Sequence, residues 1–410
     1  MLKNYFKIAI AVLKRRKFFT FISLFGISLT LTILTVATAF VDKVLSPEYP
    51  DYKRDRSLYV SNMEFKNTKE GWMNRNDVSY YFLDHYVSRL KSVDKVAISS
   101  SPKSSNAYIN NKKIVLGYKY TNAAYWDVLE YKFLEGKPFS KKQIDNAELI
   151  AVISKETKEA YFGNEKSVVG KYISADNINY RVIGVVDNVS KTLRNLAGDM
   201  YLPYTLSREV SSNSLMGSFN GILLAKYKAD VPAMKNEFNQ MVSKLPLPST
   251  EFDKLYCNAD SFFDSMTRRL GGDTTNTATT RVVAVSAVLL LLFLLLPTIN
   301  LVNINITRIM ERSSEIGVRK AFGASSRTLV FQFLVENMIL TFMGALMGLV
   351  FSVLAISFTN NANVISNMKL SINFTVLFYS LIVCLFFGFI SGVYPAWIMS
   401  RLNVVKALKG

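Results

Sequence analysis

Residues 287–297 read AVLLLLFLLLP, and the stretch 289–296 inside them is apolar without a break. Such a run has no polar face to turn toward water, so it excludes an ordinary surface helix of a soluble protein. It sits within a longer apolar stretch, 282–306. About 20 apolar residues cross a hydrocarbon core some 30 Å thick, so this stretch is long enough to span one. Outward from it, three more stretches meet the same criterion: 18–41 toward the N-terminus, and 328–358 and 372–399 toward the C-terminus. The first has an alternative as a cleaved signal peptide, with Ala37-Thr38-Ala39 resembling a cleavage site. Its apolar run exceeds the roughly 7–15 residues of a signal core, which favours a retained helix.

Basic residues set the direction. Lys3, Lys7, Lys14, Arg15, Arg16 and Lys17 precede the first stretch. Arg308, Arg312, Arg319, Lys320 and Arg327 separate the second from the third, and Arg401, Lys406 and Lys409 follow the fourth. The connection 359–371 has only Lys369. Cytoplasmic flanks carry the excess of lysine and arginine. The expectation is therefore an integral membrane protein with four transmembrane helices. Residues 1–17, 307–327 and 400–410 are then cytoplasmic, and 42–281 and 359–371 are outside. In 1–17, Leu2, Phe6, Ile10 and Leu13 recur near helical spacing, with Lys3, Lys7 and Lys14 off that face. This reads as an amphipathic helix on the cytoplasmic interface, or else as a plain basic flank.

The formal net charge is +18. Its placement beside apolar stretches points to a lipid bilayer and not to nucleic acid. His85 is the only histidine. Of two cysteines, Cys257 and Cys384, the second lies in an apolar run, so no disulfide framework or metal site is expected. No catalytic signature occurs. Around Gly163, Gly170 and Lys171 the spacing is wrong for a phosphate loop, and Tyr172 stands where Ser or Thr would hold magnesium. No catalytic, cofactor-binding or metal-binding residue is assigned.

Residues 42–281 have ordinary globular composition. Strand patterns appear in SLYVSN, KIVLGYKY, LIAVIS, YRVIGVV and FNGILLAKYK. Helical patterns appear in WDVLEYKFL, SKETKEAYFG and VPAMKNEFNQMVSKL. Mixed elements without a long alternating rhythm predict an α+β domain. The Pro and Ser-rich stretch 201–214 reads as a junction between two lobes. Asp176 and Asp187 read as turn residues, and Trp72, Tyr80, Tyr81 and Trp126 as core.

The loop after the second apolar stretch is NLVNINITRIMERSSEIGVRKAFGASSRTLVFQFLVEN, residues 300–337. Glu311, Glu315, Arg312 and Arg319 give it a polar surface. Gly323 offers a helix stop, and Ser325 or Ser326 a cap for the next helix. The physical reading leaves open a partner-docking elbow or a solvated loop. In the apolar stretches Glu336 is the clearest charge. It reads as a partner across a helix interface or as a headgroup-level residue. Asn300, Asn303 and Asn305 are candidates for interhelical bonds.

The run RSSEIGVRKAFGAS resembles the hallmark of FtsX-like permeases, the membrane subunits of MacB-type (type VII) ABC transporters. YTNAAYWDVLEYKFLEGKPFS, ELIAVISKETKEAYFGNEKSVVGKYI, YRVIGVVDNV and YLPY resemble the MacB-like core domain. The resemblance implies an inner-membrane protein with a periplasmic domain of porter and Sabre-like lobes at 42–281 and an FtsX-like permease domain at 282–399. It implies an ABC ATPase subunit that binds ATP and Mg, and a second permease copy or paralogue. Periplasmic adaptor and outer-membrane channel join in efflux types. Arg312, Glu315, Gly317, Arg319, Lys320 and Gly323 would lie in the loop facing the ATPase. Work would pass to the periplasm by mechanotransmission, in export or efflux. No G-x-x-x-x-G-K-[ST] motif is present, so the expectation is a non-enzymatic subunit served by a separate ATPase. Alternatives within the resemblance are an FtsX-like regulator of cell-wall hydrolases and a lipoprotein-release permease.

Overall fold

The computed structural model describes residues 15, 17–109, 112–190, 193, 195–271, 273, 275–311, 318, 322, 325–364 and 368–400. The chain divides into two compact units. One is Leu45–Val282 with Ser366–Met368; the other is Met1–Val44, Val283–Ile365 and Lys369–Gly410.

The first unit is α+β. Its strands are β1 (Ser57–Val60), β2 (Asn62–Lys66), β3 (Met73–Val78), β4 (Lys95–Ser100), β5 (Lys103–Ile109), β6 (Lys112–Thr121), β7 (Phe133–Gly136), β8 (Ile150–Ser154), β9 (Tyr172–Ala175), β10 (Ile178–Val186), β11 (Met200–Pro203), β12 (Met216–Gly217), β13 (Phe219–Leu224) and β14 (Lys254–Cys257). Among the described residues they join one sheet in the order β14-β2-β3-β13-β4-β6-β11-β8-β10-β7. Off that path β1 pairs with β13, β12 with β3, β5 with β6 and β9 with β10. Two pairings are parallel, β10 with β8 and β11 with β6. Strands at such positions are covered on both faces. In β8, Ile150 and Val152 enter one core while Ala151 and Ile153 enter another. A separate core around Met63, Phe82, Leu83 and Phe238 lies at the other end of the sheet order.

Three sequence readings need correction here. WDVLEYKFL is helical only at its start, within Ala124–Val128; from Phe133 it runs as β7, an edge strand paired with β10. Sheet pairing overrides the local helical pattern. The stretch 201–214 opens inside the sheet: Tyr201, Leu202 and Pro203 are buried in β11. The connection proper begins only with the 3-10 turn Tyr204–Leu206. Trp72 is 39% exposed, because it sits on the β2–β3 turn, edge-on to Phe252. Asp176 is a turn residue as read. It and Asn177 have φ of 49° and 62° in the β9–β10 hairpin, conformations that Asp and Asn tolerate.

The helices are α1 (Lys17–Leu45), α2 (Tyr80–His85), α3 (Ala124–Val128), α4 (Lys141–Asp145), α5 (Lys155–Phe162), α6 (Val231–Val242), α7 (Phe262–Gly271), α8 (Thr279–Glu311), α9 (Ser326–Asn361) and α10 (Phe374–Ser400). By length and composition of the described residues, Lys17–Leu45 and Val330–Asn361 are long and apolar enough to cross a membrane. Thr279–Phe293 and Leu377–Val393 are shorter apolar segments of α8 and α10.

In the helical unit α9 is packed between α1 and α10. A Cβ on Gly344 would stand 2.8 Å from Ile27 Cβ, and one on Gly348 would stand 2.9 Å from Leu31 Cβ and from the Ser28 carbonyl. Thr32 Oγ1 donates to the Gly348 carbonyl at 3.1 Å. On the other side, Asn337 Nδ2 donates to Ser391 Oγ at 3.2 Å and to the Gly388 carbonyl. Small residues let backbones approach, and polar side chains then bond across the seam. Glu336 is buried and accepts from Gln332 Nε2 at 3.0 Å, one turn away on its own helix. Gly388 faces Thr341 so closely that a Cβ there would lie 2.5 Å from Thr341 Oγ1. Gly388→Val should therefore destabilise the helical unit by about 1–3 kcal/mol. The check is a lower thermal midpoint of the purified chain, with Gly271→Ala, which meets nothing within 4 Å, as the control.

Candidate functional site

The loop residues singled out from sequence, Arg312, Glu315, Gly317, Arg319, Lys320 and Gly323, lie outside the described residues. Two neighbours within that run are described. Phe322 N donates to the Val318 carbonyl at 3.0 Å, which closes one helical turn. Their apolar side chains are 87% and 44% exposed. An aromatic ring that exposed, among charged residues, suits a partner better than solvent. The charges of this run stand out in the sequence, and Phe322 does not. Its signal is present all the same, as the one aromatic residue between Glu311 and Arg327. Ser325 caps α9 by accepting from Thr328 N at 3.2 Å, which selects one of the two capping residues the sequence offers.

A second set of residues joins the exit of α1 to the entry of α8, entirely within the α+β unit. α1 ends at Leu45, where its last carbonyls lack helical partners. Arg54, buried at 6% exposure, supplies them. Its Nη1 donates to the Leu45 carbonyl at 3.2 Å and to that of Ser46 at 2.9 Å. A cation at a helix C-terminus also meets the negative end of the helix dipole. Arg54 Nε pairs with Asp51 Oδ2 at 3.0 Å, and Tyr59 donates its hydroxyl to the same oxygen at 2.5 Å. Burial and the neighbouring Asp51 hold the Tyr59 phenol well above its ordinary pKa, so it stays a donor.

The other face of the Arg54 guanidinium covers Phe262, the first residue of α7, at 3.7 Å from the ring centroid. Tyr59 meets the same ring edge-on at 5.5 Å. Tyr59 and Asp260 exchange both backbone hydrogen bonds, at 2.8 and 3.0 Å. Asp260 in turn holds Arg268 of α7 through Nε at 2.6 Å and Nη2 at 3.0 Å. Asp264 of α7 accepts from Thr279 Oγ1 at 2.7 Å, and Thr279 opens α8. The two-pronged Arg268–Asp260 pair and the ring stacked under Arg54 fix orientation as well as distance. These contacts lead from Leu45 at the end of α1, through α7, to Thr279 at the start of α8. None of Asp51, Arg54, Phe262 or Arg268 is singled out by the sequence. The Asp51–Arg54 pair is three residues apart and Asp260–Arg268 eight, whereas Arg54 and Phe262 are distant in the chain.

Among the described residues no cluster of His, Cys, Asp and Glu suits a metal ion. Cys257 is buried and unpaired with another cysteine.

The MacB-like periplasmic core domain family matches residues 20–241, and the FtsX-like permease C-terminal family matches residues 287–404. Macrolide export ATP-binding/permease protein MacB of Campylobacter jejuni subsp. jejuni serotype O:23/36 (strain 81-176) is 27% identical over 277 residues, which are 67% of this chain and 41% of that protein. The protein of the same description in Escherichia coli (strain K12) is 26% identical over 340 residues, 79% of this chain and 49% of that one. The chain thus spans less than half the length of these curated relatives. Among solved structures, the periplasmic region of MacB from Actinobacillus actinomycetemcomitans aligns at TM-score 0.38 and 15% identity, over 52% of this chain and 92% of that one. The extracellular domain of the noncanonic ABC-type transporter YknZ from Gram-positive bacteria aligns at TM-score 0.35 and 17% identity, over 45% and 93%.

Proposed function

This chain belongs to the family with a MacB-like periplasmic core domain, and from that premise we propose that it is the membrane subunit of an ATP-driven ABC complex. ATP and magnesium are held by an ATPase unit outside residues 1–410, and a second permease copy or paralogue completes the membrane part. All four apolar helices span the inner membrane, with both ends of the chain in the cytoplasm and the α+β unit in the periplasm. ATP-driven motion of the helices moves the α+β unit, which does the work on cargo. Macrolide export, the activity named for the relatives above, is the first cargo class to assay, with an adaptor and an outer-membrane channel as further partners.

The observation that carries this reading is the Arg54 junction. Here the helix end is capped, ion-paired and stacked onto the element that leads into α8. At the cytoplasmic side, Phe322 and Val318 form an apolar anchor for the ATPase, flanked by Glu315, Arg319 and Lys320.

Two experiments test it. Reversing the charges of Glu315 and Arg319 together should lower stimulated ATP hydrolysis by the co-purified ATPase at least tenfold, with membrane insertion intact. Unchanged stimulation rules out the docking assignment. A reporter fused after Gly410 should be cytoplasmic, and one inserted between the exposed Ser212 and Asn213 should be periplasmic. The reverse pattern overturns the topology.

A further inference from the structure

In the α+β unit β6 places Lys119 inside the protein, at 1% exposure. Among the described residues its ammonium donates to the Asn195 carbonyl and pairs with no carboxylate. Burial, and then the Arg269 charge, pull its pKa down to about 7. An apolar side chain of equal length would carry no such penalty. A perturbed, desolvated charge at a cleft is a mark of a binding site.

The cleft is present. A cavity of about 250 Å³ is lined by Lys119 and Gly117 of β6, Ser154 and Glu156 at the start of α5, and Gly198 and Asp199 of the β10–β11 connection. That is close to the lower end of the ~300–1,000 Å³ usual for small-molecule clefts. Two of its lining residues are glycines packed closely against their neighbours. A Cβ on Gly117 would lie 3.2 Å from Asp199 Oδ2, and one on Gly198 would lie 3.1 Å from the Tyr201 ring.

Its wall is held in place before any ligand arrives. The hydroxyls of Tyr125, Tyr131 and Tyr201 converge on the Leu196 carbonyl at 3.3, 2.7 and 3.0 Å. Arg269 Nη1 donates to Asn195 Oδ1 at 3.1 Å, and Gly117 N donates to Asp199 Oδ2 at 2.7 Å. A preformed wall spares a ligand the entropy of ordering it.

The charges select the ligand class. A simple anion would meet Lys119 but face the carboxylates of Glu156 and Asp199. A simple cation would meet those carboxylates but face Lys119. We propose that this cavity binds a compact zwitterion, its anionic group on Lys119 and its ammonium on the Asp199 and Glu156 side. The phosphoethanolamine group has this chemistry, either as a soluble molecule or as a lipid head group.

The test uses the full chain, purified in an uncharged detergent, with O-phosphoethanolamine as the calorimetric probe. Saturable binding is expected, at least tenfold tighter than for ethanolamine or inorganic phosphate. Lys119→Met and Asp199→Asn should each weaken it at least tenfold, with thermal midpoints showing that both variants remain folded. Competition by phosphatidylethanolamine in nanodiscs identifies the lipid as source, and no competition identifies a soluble ligand. No saturable binding, equal binding of inorganic phosphate, or wild-type affinity in folded Lys119→Met overturns the proposal. None of these outcomes bears on whether an ATPase docks below.

Discussion

Replacing Arg54 by alanine should destabilise the α+β unit by about 3–5 kcal/mol, the range for removing one partner of a buried ion pair. The size follows from what is left behind. Asp51 loses its partner at a site almost sealed from water, and the Leu45 and Ser46 carbonyls lose their donor. The stacked face on Phe262 is lost as well. The measurement is the unfolding midpoint of the purified chain. Arg54→Leu combined with Asp51→Asn should cost clearly less than the sum of the two single changes, because the charge left uncompensated in either single variant is then gone. Stimulated ATP hydrolysis provides the functional arm. Under the proposed function, Phe262→Ala, which removes the ring beneath the guanidinium, should lower that stimulated hydrolysis. An Arg54→Ala protein with an unchanged midpoint would remove the junction from the account.

Lys119→Met should act in the opposite direction and stabilise the α+β unit at neutral pH. The native pKa of about 7 lies below the ordinary 10.5. At 1.36 kcal/mol per pKa unit the penalty is up to about 5 kcal/mol. The sign follows from proton counting. Between pH 7 and 10.5 the unfolded chain binds a proton at this lysine that the folded chain has largely released. Wild-type stability therefore rises with pH across that window. Below pH 7 both states are protonated, so the penalty is full and constant. The methionine variant should lack this slope, and its advantage should shrink toward pH 10. Unfolding midpoints at pH 6, 8 and 10 check the prediction. A variant less stable than wild type at pH 7 would mean that the ammonium is structurally required.

Much of the α+β unit is legible in the amino-acid sequence. IAVIS, RVIGVV and GILL are strands because β-branched and aliphatic side chains fill both sides of a covered sheet. Asp176 and Ser325 are readable because turns and caps are made within a few residues. Local pattern misleads where a distant neighbour overrides it. Phe133 joins an edge strand, Tyr201 a buried one, and Trp72 finds its aromatic partner on a turn. At the candidate site, Glu315 and Arg319 draw notice as charges, whereas Phe322 needs its exposure to stand out.

Chain order alone settles properties that depend on short windows. The apolar runs are too continuous to present a polar face, and the basic flanks lie on alternate connections. Transfer free energy sums over neighbouring residues, so no tertiary contact is needed to read it. Only the folded molecule decides that Arg54 meets Phe262, that Asp260 clamps Arg268, and that the lysine in the middle of YKY at 118–120 is buried beneath Asn195. Those contacts follow from strand register and from connections between distant segments. One residue of slip in β6 would turn Lys119 to the other face of the sheet.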